Sequence, residues 1–198
     1  MIPTESQALG LHKKYAWDNK IMQEVVLHCK ITAEIALWCV KEKNLQVDKA
    51  RLQSACLLHD IGSYVFLASK EKRRDTYPQH AIFGSAILRE EGVDSQICEM
   101  VKTHVLLGLT KEEINQLNIA LPYKNFEPQT IEARLLCYAD RFSSKGTGLV
   151  INKFDTFLEK LKIDLPLQAK KFNNWSLEFG VPNTDYFAKN IIVHRFKF

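Results

Sequence analysis

Ile21, Val25, His28, Thr32, Ile35 and Cys39 follow one another at alternating steps of four and three residues. Such steps line one face of an α-helix and do not fit the two-residue period of a strand. Asp18 precedes the run as an N-cap. A second helix is expected to open near Val47 and Asp48, run through Leu52, Ala55, Cys56 and His59, and end at Asp60-Ile61-Gly62. There Gly62 is expected to take the left-handed conformation that terminates helices. The charged stretch SKEKRRDT at 69–76 leads through Pro78 into a helix that starts around His80 and stops at Gly92. Asp94 caps the next, with Ile97, Met100, Val101 and His104 on one face. Thr110 and Glu113 form a capping box, and Thr130 caps a helix in which Ala133, Leu136, Cys137 and Asp140 share a face.

Gly146 and Gly148 end the pattern. From about Ile151 two further helices are expected, around Phe154, Phe157 and Leu161 and around Phe172, Trp175 and Phe179. IIVHRF reads as a short extended segment within a basic, aromatic end, HRFKF. No repeat, low-complexity tract or sustained strand-like alternation is present, so the expected fold is an all-α irregular helical bundle. Residues 1–150 form its main helical domain, and 151–198 a helical extension packed on the same domain. Residues 175–179 and the terminal HRFKF are assigned to packing on this bundle, with a homodimer as the alternative.

With 198 residues, 46% of them hydrophobic and 25% charged, the chain has the composition of one globular domain and not of a disordered segment. A core of this size needs neither metal nor disulfide to hold it, so a metal site would exist for chemistry. The longest apolar stretch, residues 35–40, is far below the roughly 18 residues of a membrane span. The first twenty residues lack the apolar block of a secretory signal, and a cytoplasmic protein is expected. The five cysteines form no CxxC pair and suit reduced, buried thiols. A formal charge of +4 does not by itself indicate nucleic acid or a membrane surface, and it fits an anionic small molecule equally well.

His28, His59, His80 and His104, with Asp60 and Asp140, fall on inward faces or helix ends. Singly, each reads as an ordinary hydrogen-bonded core residue. Together they do not, because burying six such groups without partners costs several kcal/mol each, a penalty that coordination of shared metal largely removes.

These residues and their order resemble the HD superfamily of metal-dependent phosphohydrolases. LLHDIG at 57–62 matches its HDIG-type signature, and YPQHAIFGSAILREEG, VKTHVLLGLTKEE and ARLLCYADR surround His80, His104 and Asp140. The resemblance implies an HD-type helical bundle. It also implies one metal held by His28, His59, Asp60 and Asp140, and a second held by His80 and His104 with Asp60 bridging. His59 and Asp60 would then be the catalytic pair, with hydroxide as nucleophile. Imidazoles and carboxylates favour two divalent transition-metal ions, iron, manganese, cobalt, nickel or zinc, over calcium. Such ions, about 3.5–4 Å apart, activate water and clamp a phosphoryl displacement. The implied substrate is a small phosphorylated compound such as a nucleotide, cleaved at a phosphate ester or anhydride; neither nucleic acid nor membrane is implied as a partner.

Phosphate needs cations, and Arg73 and Arg74 are the foremost candidates, since KEKRRD immediately precedes the His80 helix. Lys30, Lys102, Lys111, Arg141 and Lys145 also fall near ligands, with Lys102 expected to point away. Many relatives carry Lys directly after HDIG, where this chain has Ser63. Gly84 and Gly108, each four residues after a histidine, suit close packing or helix termination, and Tyr64 and Tyr138 suit core filling. Two other readings share the ligand set: a di-iron oxygenase, and a non-catalytic signalling or ligand-binding module.

Overall fold

Helix α2 (Asn19–Glu42) is the element around which the others pack, and its start is set locally: the Asp18 carboxylate accepts the Ile21 amide N–H. Its inward face, Val25, Ile31, Ile35 and Cys39 among others, is buried. The computed structural model describes residues 1–67, 76–145 and 149–194. Ahead of α2 lies α1 (Glu5–Tyr15), opened by a Thr4/Gln7 capping box. Helices α3 (Lys49–Leu58), α5 (His80–Glu90), α6 (Ser95–Lys102) and α8 (Ile131–Asp140) complete the layer that carries the polar cluster. Asp48, Asp94 and Thr130 cap α3, α6 and α8 through their side chains, and the Thr110/Glu113 box opens α7 (Lys111–Gln116).

Among the described residues the architecture is all-helical apart from one antiparallel pair of two-residue strands, β1 (Ser143–Ser144) and β2 (Val150–Ile151). Helices α9 (Phe154–Asp164), α10 (Pro166–Phe179) and α11 (Thr184–His194) follow, three where the sequence suggests two. The residues expected to be extended, 191–194, are the last turn of α11, because Thr184 onward is a continuous helix. Residues 195–198 of the HRFKF end lie outside the described residues. Phe172, Phe179 and Phe187 join Ile35, Leu58, Leu136 and Tyr138 in one buried cluster. Burying each such side chain stabilises the fold by about 1.5–3 kcal/mol. All five cysteines are free and buried, and desolvation pushes the Cys39, Cys56 and Cys137 thiols up to about 12. Among the described residues no helix is long and apolar enough to cross a membrane.

The turn after α3 departs from expectation. Helix α3 stops at Leu58, and after a short turn the chain enters α4 (Ser63–Leu67). Gly62 does not adopt the left-handed conformation; among the described residues Gly92, Gly108 and Gly180 are the glycines with positive φ. A glycine is required at 62 by close approach: an added Cβ would stand 2.1 Å from the His80 carbonyl oxygen and 2.4 Å from the Gly84 nitrogen. This contact draws the turn that holds His59 and Asp60 against the start of the His80 helix.

Candidate metal centre

Three of the four histidines are oriented by one recurring device. The Nδ1 of His59 lies 2.7 Å from the Cys56 carbonyl, that of His80 2.7 Å from the Tyr77 carbonyl, and that of His104 2.5 Å from the Val101 carbonyl. Each acceptor is three residues back. For His59 and His104 it is one of the carbonyls left without a partner at the end of α3 or α6. A carbonyl can only accept, so Nδ1 carries the proton and donates it, leaving Nε2 as a bare lone pair. His28, in the middle of α2, differs: its Nδ1 is 2.9 Å from the Ser143 hydroxyl on β1. Tyr77 stacks on His80 with ring centroids 4.5 Å apart.

The Nε2 atoms converge. His28 and His59 bring their Nε2 atoms within 3.0 Å of each other, and His80 and His104 within 2.9 Å. Asp60 stands between the pairs. Its Oδ2 is 3.2 Å from His28 Nε2 and 3.3 Å from His59 Nε2, while its Oδ1 is 3.1 Å from His80 Nε2 and 3.9 Å from His104 Nε2. Asp140, the last residue of α8, adds Oδ1 at 2.9 Å from His28 and 3.3 Å from His59. All six are buried. Three overlapping sets, His28/His59/Asp60, His59/His104/Asp140 and Asp60/His80/His104, each place their ligand atoms within 4.8 Å of one another.

Desolvation by burial is the main cause that lowers His28 and His104 well below the usual imidazole value and takes His80 down to about 4, so these rings are neutral at physiological pH. Neutral imidazoles whose Nε2 atoms face one another and carboxylate oxygens present acceptors to acceptors, an arrangement that positive charge stabilises. Among the described residues Asp60 Oδ2 accepts no regular hydrogen bond, although Lys145 Nζ contacts it. The donor set therefore fits divalent transition metal. The helix C-termini that deliver His59, His104 and Asp140 add their partial negative charge.

Ser63 is not a gap in the site. It is buried, its hydroxyl donates to Asp60 Oδ1 at 3.0 Å, and it lies 3.0 Å from the Tyr77 hydroxyl. Lys30 pairs with Glu5, Lys102 with Glu99, and Lys111 lies over the Tyr123 ring, all away from the cluster. Arg141 contacts Asp140, and Lys145 contacts Asp60; desolvation lowers their pKa values to about 10 and about 8. Arg73 and Arg74 lie outside the described residues. Tyr64 and Tyr138 are buried core residues, their hydroxyls bonded to His12 Nδ1 and the Gly180 carbonyl.

Sequence reasoning missed Ser143 and Asn152, whose approach to the site is long-range and leaves no periodic trace, and Tyr77, which stands three residues before His80. It also missed Gln168. This buried side chain accepts the Leu107 N–H at 2.9 Å and donates to the Gly108 carbonyl at 3.0 Å and to Glu113 at 2.7 Å. It thereby ties α10 to the loop after His104, in which Leu106 has φ 55° and Gly108 φ 74°. A cavity of about 790 Å³ opens on the cluster, with His28, Asp60, His80, His104 and Asp140 in its wall.

A helical bundle that delivers H, HD, H, H and D to one buried point is the architecture of HD-domain phosphohydrolases. The chain belongs to the HD-domain family, whose model matches residues 25–145, and it is a metal-dependent phosphohydrolase by class. The uncharacterized protein MJ0778 of Methanocaldococcus jannaschii is 32% identical over 149 residues, covering 72% of this chain and 82% of that protein. The tRNA (cytidine(56)-2'-O)-methyltransferase of Picrophilus torridus is 28% identical over 87% of this chain, which spans 46% of that enzyme. Among solved structures, the HD domain of the L. monocytogenes phosphodiesterase PgpH in complex with cyclic-di-AMP shares the fold, with a TM-score of 0.52 and 16% identity over 95% of this chain and 91% of that one.

Proposed function

We propose that this chain hydrolyses a phosphate ester or anhydride of a nucleotide or related small phosphorylated metabolite, using two divalent transition-metal ions. His28, His59, Asp60 and Asp140 would hold one ion, and His80 and His104 the other, with Asp60 shared. The observation that carries this reading is the placement of the two Asp60 oxygens, one facing each histidine pair. When bound, such ions supply Lewis acidity and a lowered pKa for water.

The protein's own residues supply the rest. Ser63, between Tyr77 and Asp60, holds the Asp60 carboxylate in its straddling orientation. The backbone carbonyls behind His59, His80 and His104 fix the tautomer that leaves Nε2 free. Burial excludes bulk water from the ligand atoms, while the adjoining cavity admits a ligand of nucleotide size. That an HD domain of the same fold has been solved with cyclic-di-AMP supports the nucleotide class.

The test reconstitutes purified protein with manganese, cobalt, nickel, zinc or iron, counts metal by elemental analysis, and incubates it anaerobically with nucleotides and sugar phosphates. About two ions per chain and phosphate release without oxygen and with a non-iron metal are expected. Activity confined to iron with oxygen would overturn hydrolysis in favour of an oxygenase. A single retained ion that is indifferent to His80→Ala with His104→Ala would overturn the dinuclear assignment.

A further inference from the structure

Helix α1 lies ahead of residues 25–145, which the HD-domain model matches, yet it carries a buried histidine, His12, that is no part of the ligand cluster. Ala8 and Leu11 supply the apolar contacts that dock this helix on the core. An imidazole on the same face is a costly substitute for an apolar side chain unless both its nitrogens find partners. Both do. His12 Nε2 is 2.8 Å from the Leu57 carbonyl oxygen, and its Nδ1 is 2.7 Å from the Tyr64 hydroxyl. The carbonyl can only accept, so Nε2 carries the proton, and the Tyr64 hydroxyl donates to Nδ1. His59, His80 and His104 hold the opposite tautomer, with Nδ1 donating. With each nitrogen already bonded, the His12 ring is arranged to bridge two groups and not to ligate.

What it bridges is the turn that carries His59 and Asp60. Leu57 stands two residues before His59, and Tyr64 follows Ser63, whose hydroxyl donates to Asp60 Oδ1. At the end of α3 the last carbonyls lack helical donors. Those of Cys56, Leu57 and Leu58 accept in turn from His59 Nδ1, His12 Nε2 and the Ile61 N–H. His12 and His59 are thus bonded to adjacent carbonyls of one helix end, so a shift of that end moves the His59 ring and the start of the turn together. Helix α1 is itself braced against elements of both histidine pairs. Glu5 pairs with Lys30 on α2, and Lys14 and Tyr15 bond to Glu91 at the end of α5.

We propose that His12 is a positioning residue for the metal centre: from outside the residues matched by the family model, it clamps the His59–Asp60 turn at Leu57 and Tyr64 and so sets where His59 Nε2 and the Asp60 carboxylate stand. This rests on the metal-centre reading above, and not on the reaction assigned to it. Groups that orient metal ligands from behind contribute about 10- to 100-fold to metal affinity.

The experiment compares full-length wild type with His12→Leu, His12→Gln and Tyr64→Phe. His12→Leu removes both bonds, His12→Gln keeps an amide N–H for the Leu57 carbonyl, and Tyr64→Phe removes only the hydroxyl. Three quantities are read below the melting range: amide hydrogen exchange at residues 59–63 in metal-free protein, equilibrium affinity for cobalt(II), and visible absorption of the cobalt-loaded protein. In His12→Leu, exchange at residues 59–63 should accelerate about 10-fold or more relative to the middle of α2. Cobalt affinity should fall about 10- to 100-fold, with a changed absorption band. His12→Gln should recover most of these losses, and Tyr64→Phe should show them in smaller measure. A His12→Leu protein that melts earlier but keeps wild-type exchange, cobalt affinity and absorption overturns the inference, since His12 then only helps to dock α1. Should His12→Leu fail to fold, Tyr64→Phe decides: faster exchange with weaker cobalt binding supports the inference, and wild-type values in all three readouts overturn it. Cobalt binding that depends on His12 in a protein that hydrolyses no phosphate compound refutes the hydrolase reading and leaves this inference standing. Full hydrolysis with unaltered cobalt binding in His12→Leu does the reverse.

Discussion

Replacing Gly62 with alanine tests how the two halves of the cluster are held together. The new Cβ would sit 2.1 Å from the His80 carbonyl oxygen, 2.4 Å from the Gly84 nitrogen and 2.9 Å from the Gly84 Cα. All three are backbone atoms, so no rotamer change relieves the clash. The turn after α3 and the start of α5 must separate by about 1 Å to restore a tolerable contact, an overpacking that costs about 3 kcal/mol. For a chain of this size that lowers Tm by roughly 6–12 °C. The same displacement acts on the 3.1 Å approach of His80 Nε2 to Asp60 Oδ1. Metal-ligand distances tolerate only about ±0.2 Å, so affinity at the His80/His104 pair should fall roughly 10- to 100-fold. Gly84→Ala is the graded comparison: its Cβ would meet the Gly62 nitrogen and Val101 Cγ1, each at 3.2 Å, a tight fit that small shifts absorb. Gly10→Ala is the opposite control, since nothing lies within 4 Å of its added Cβ in the exposed face of α1, and it should stabilise by about 0.5–1 kcal/mol. Thermal unfolding and elemental analysis of the three variants decide the matter. If Gly62→Ala melts within about 2 °C of wild type and keeps its full metal content, the reasoning from close approach is wrong.

Asp60→Asn should abolish turnover while circular dichroism shows helical content largely intact, because the substitution keeps the volume and removes the charge facing both histidine pairs; near wild-type turnover would refute the shared-ligand role, and global unfolding would point to a structural network. Gln168→Leu strands the Leu107 N–H and deprives the Gly108 carbonyl of one of its two donors, the other being Lys171, at a cost of about 2–4 kcal/mol. It should raise KM through the loosened Leu106 loop without loss of metal, and an unchanged Tm and KM would show that α10 does not position that loop.

The local signals were legible in the sequence because each acts within a few residues. Asp18, Asp48, Asp94, Thr110 and Thr130 cap the helices they precede, and the three-and-four spacing put His28 among the buried residues of α2. The ordered H, HD, H, H, D set was visible for the same reason: burying so many ionisable groups is intelligible only if they meet. What sequence could not supply were contacts between segments far apart in the chain. Gly62 looked like a helix terminator, and its actual duty, letting the backbone of residues 80 and 84 come close, exists only after α5 has packed. The residues at 191–194 looked extended from their β-branched run, but they continue a helix begun at Thr184, where tertiary context overrides local propensity. Lys145 was one basic residue among many, and only its place directly after β1, in contact with Asp60, distinguishes it from Lys102, which the helical period directs to solvent. Sequence alone thus determined which groups had to be buried together, through periodicity and the cost of unpaired charge. The tertiary structure alone decided which oxygen of Asp60 faces which histidine pair and which cations share their cavity, because those depend on helix ends arriving at one point from positions as far apart as 28 and 140.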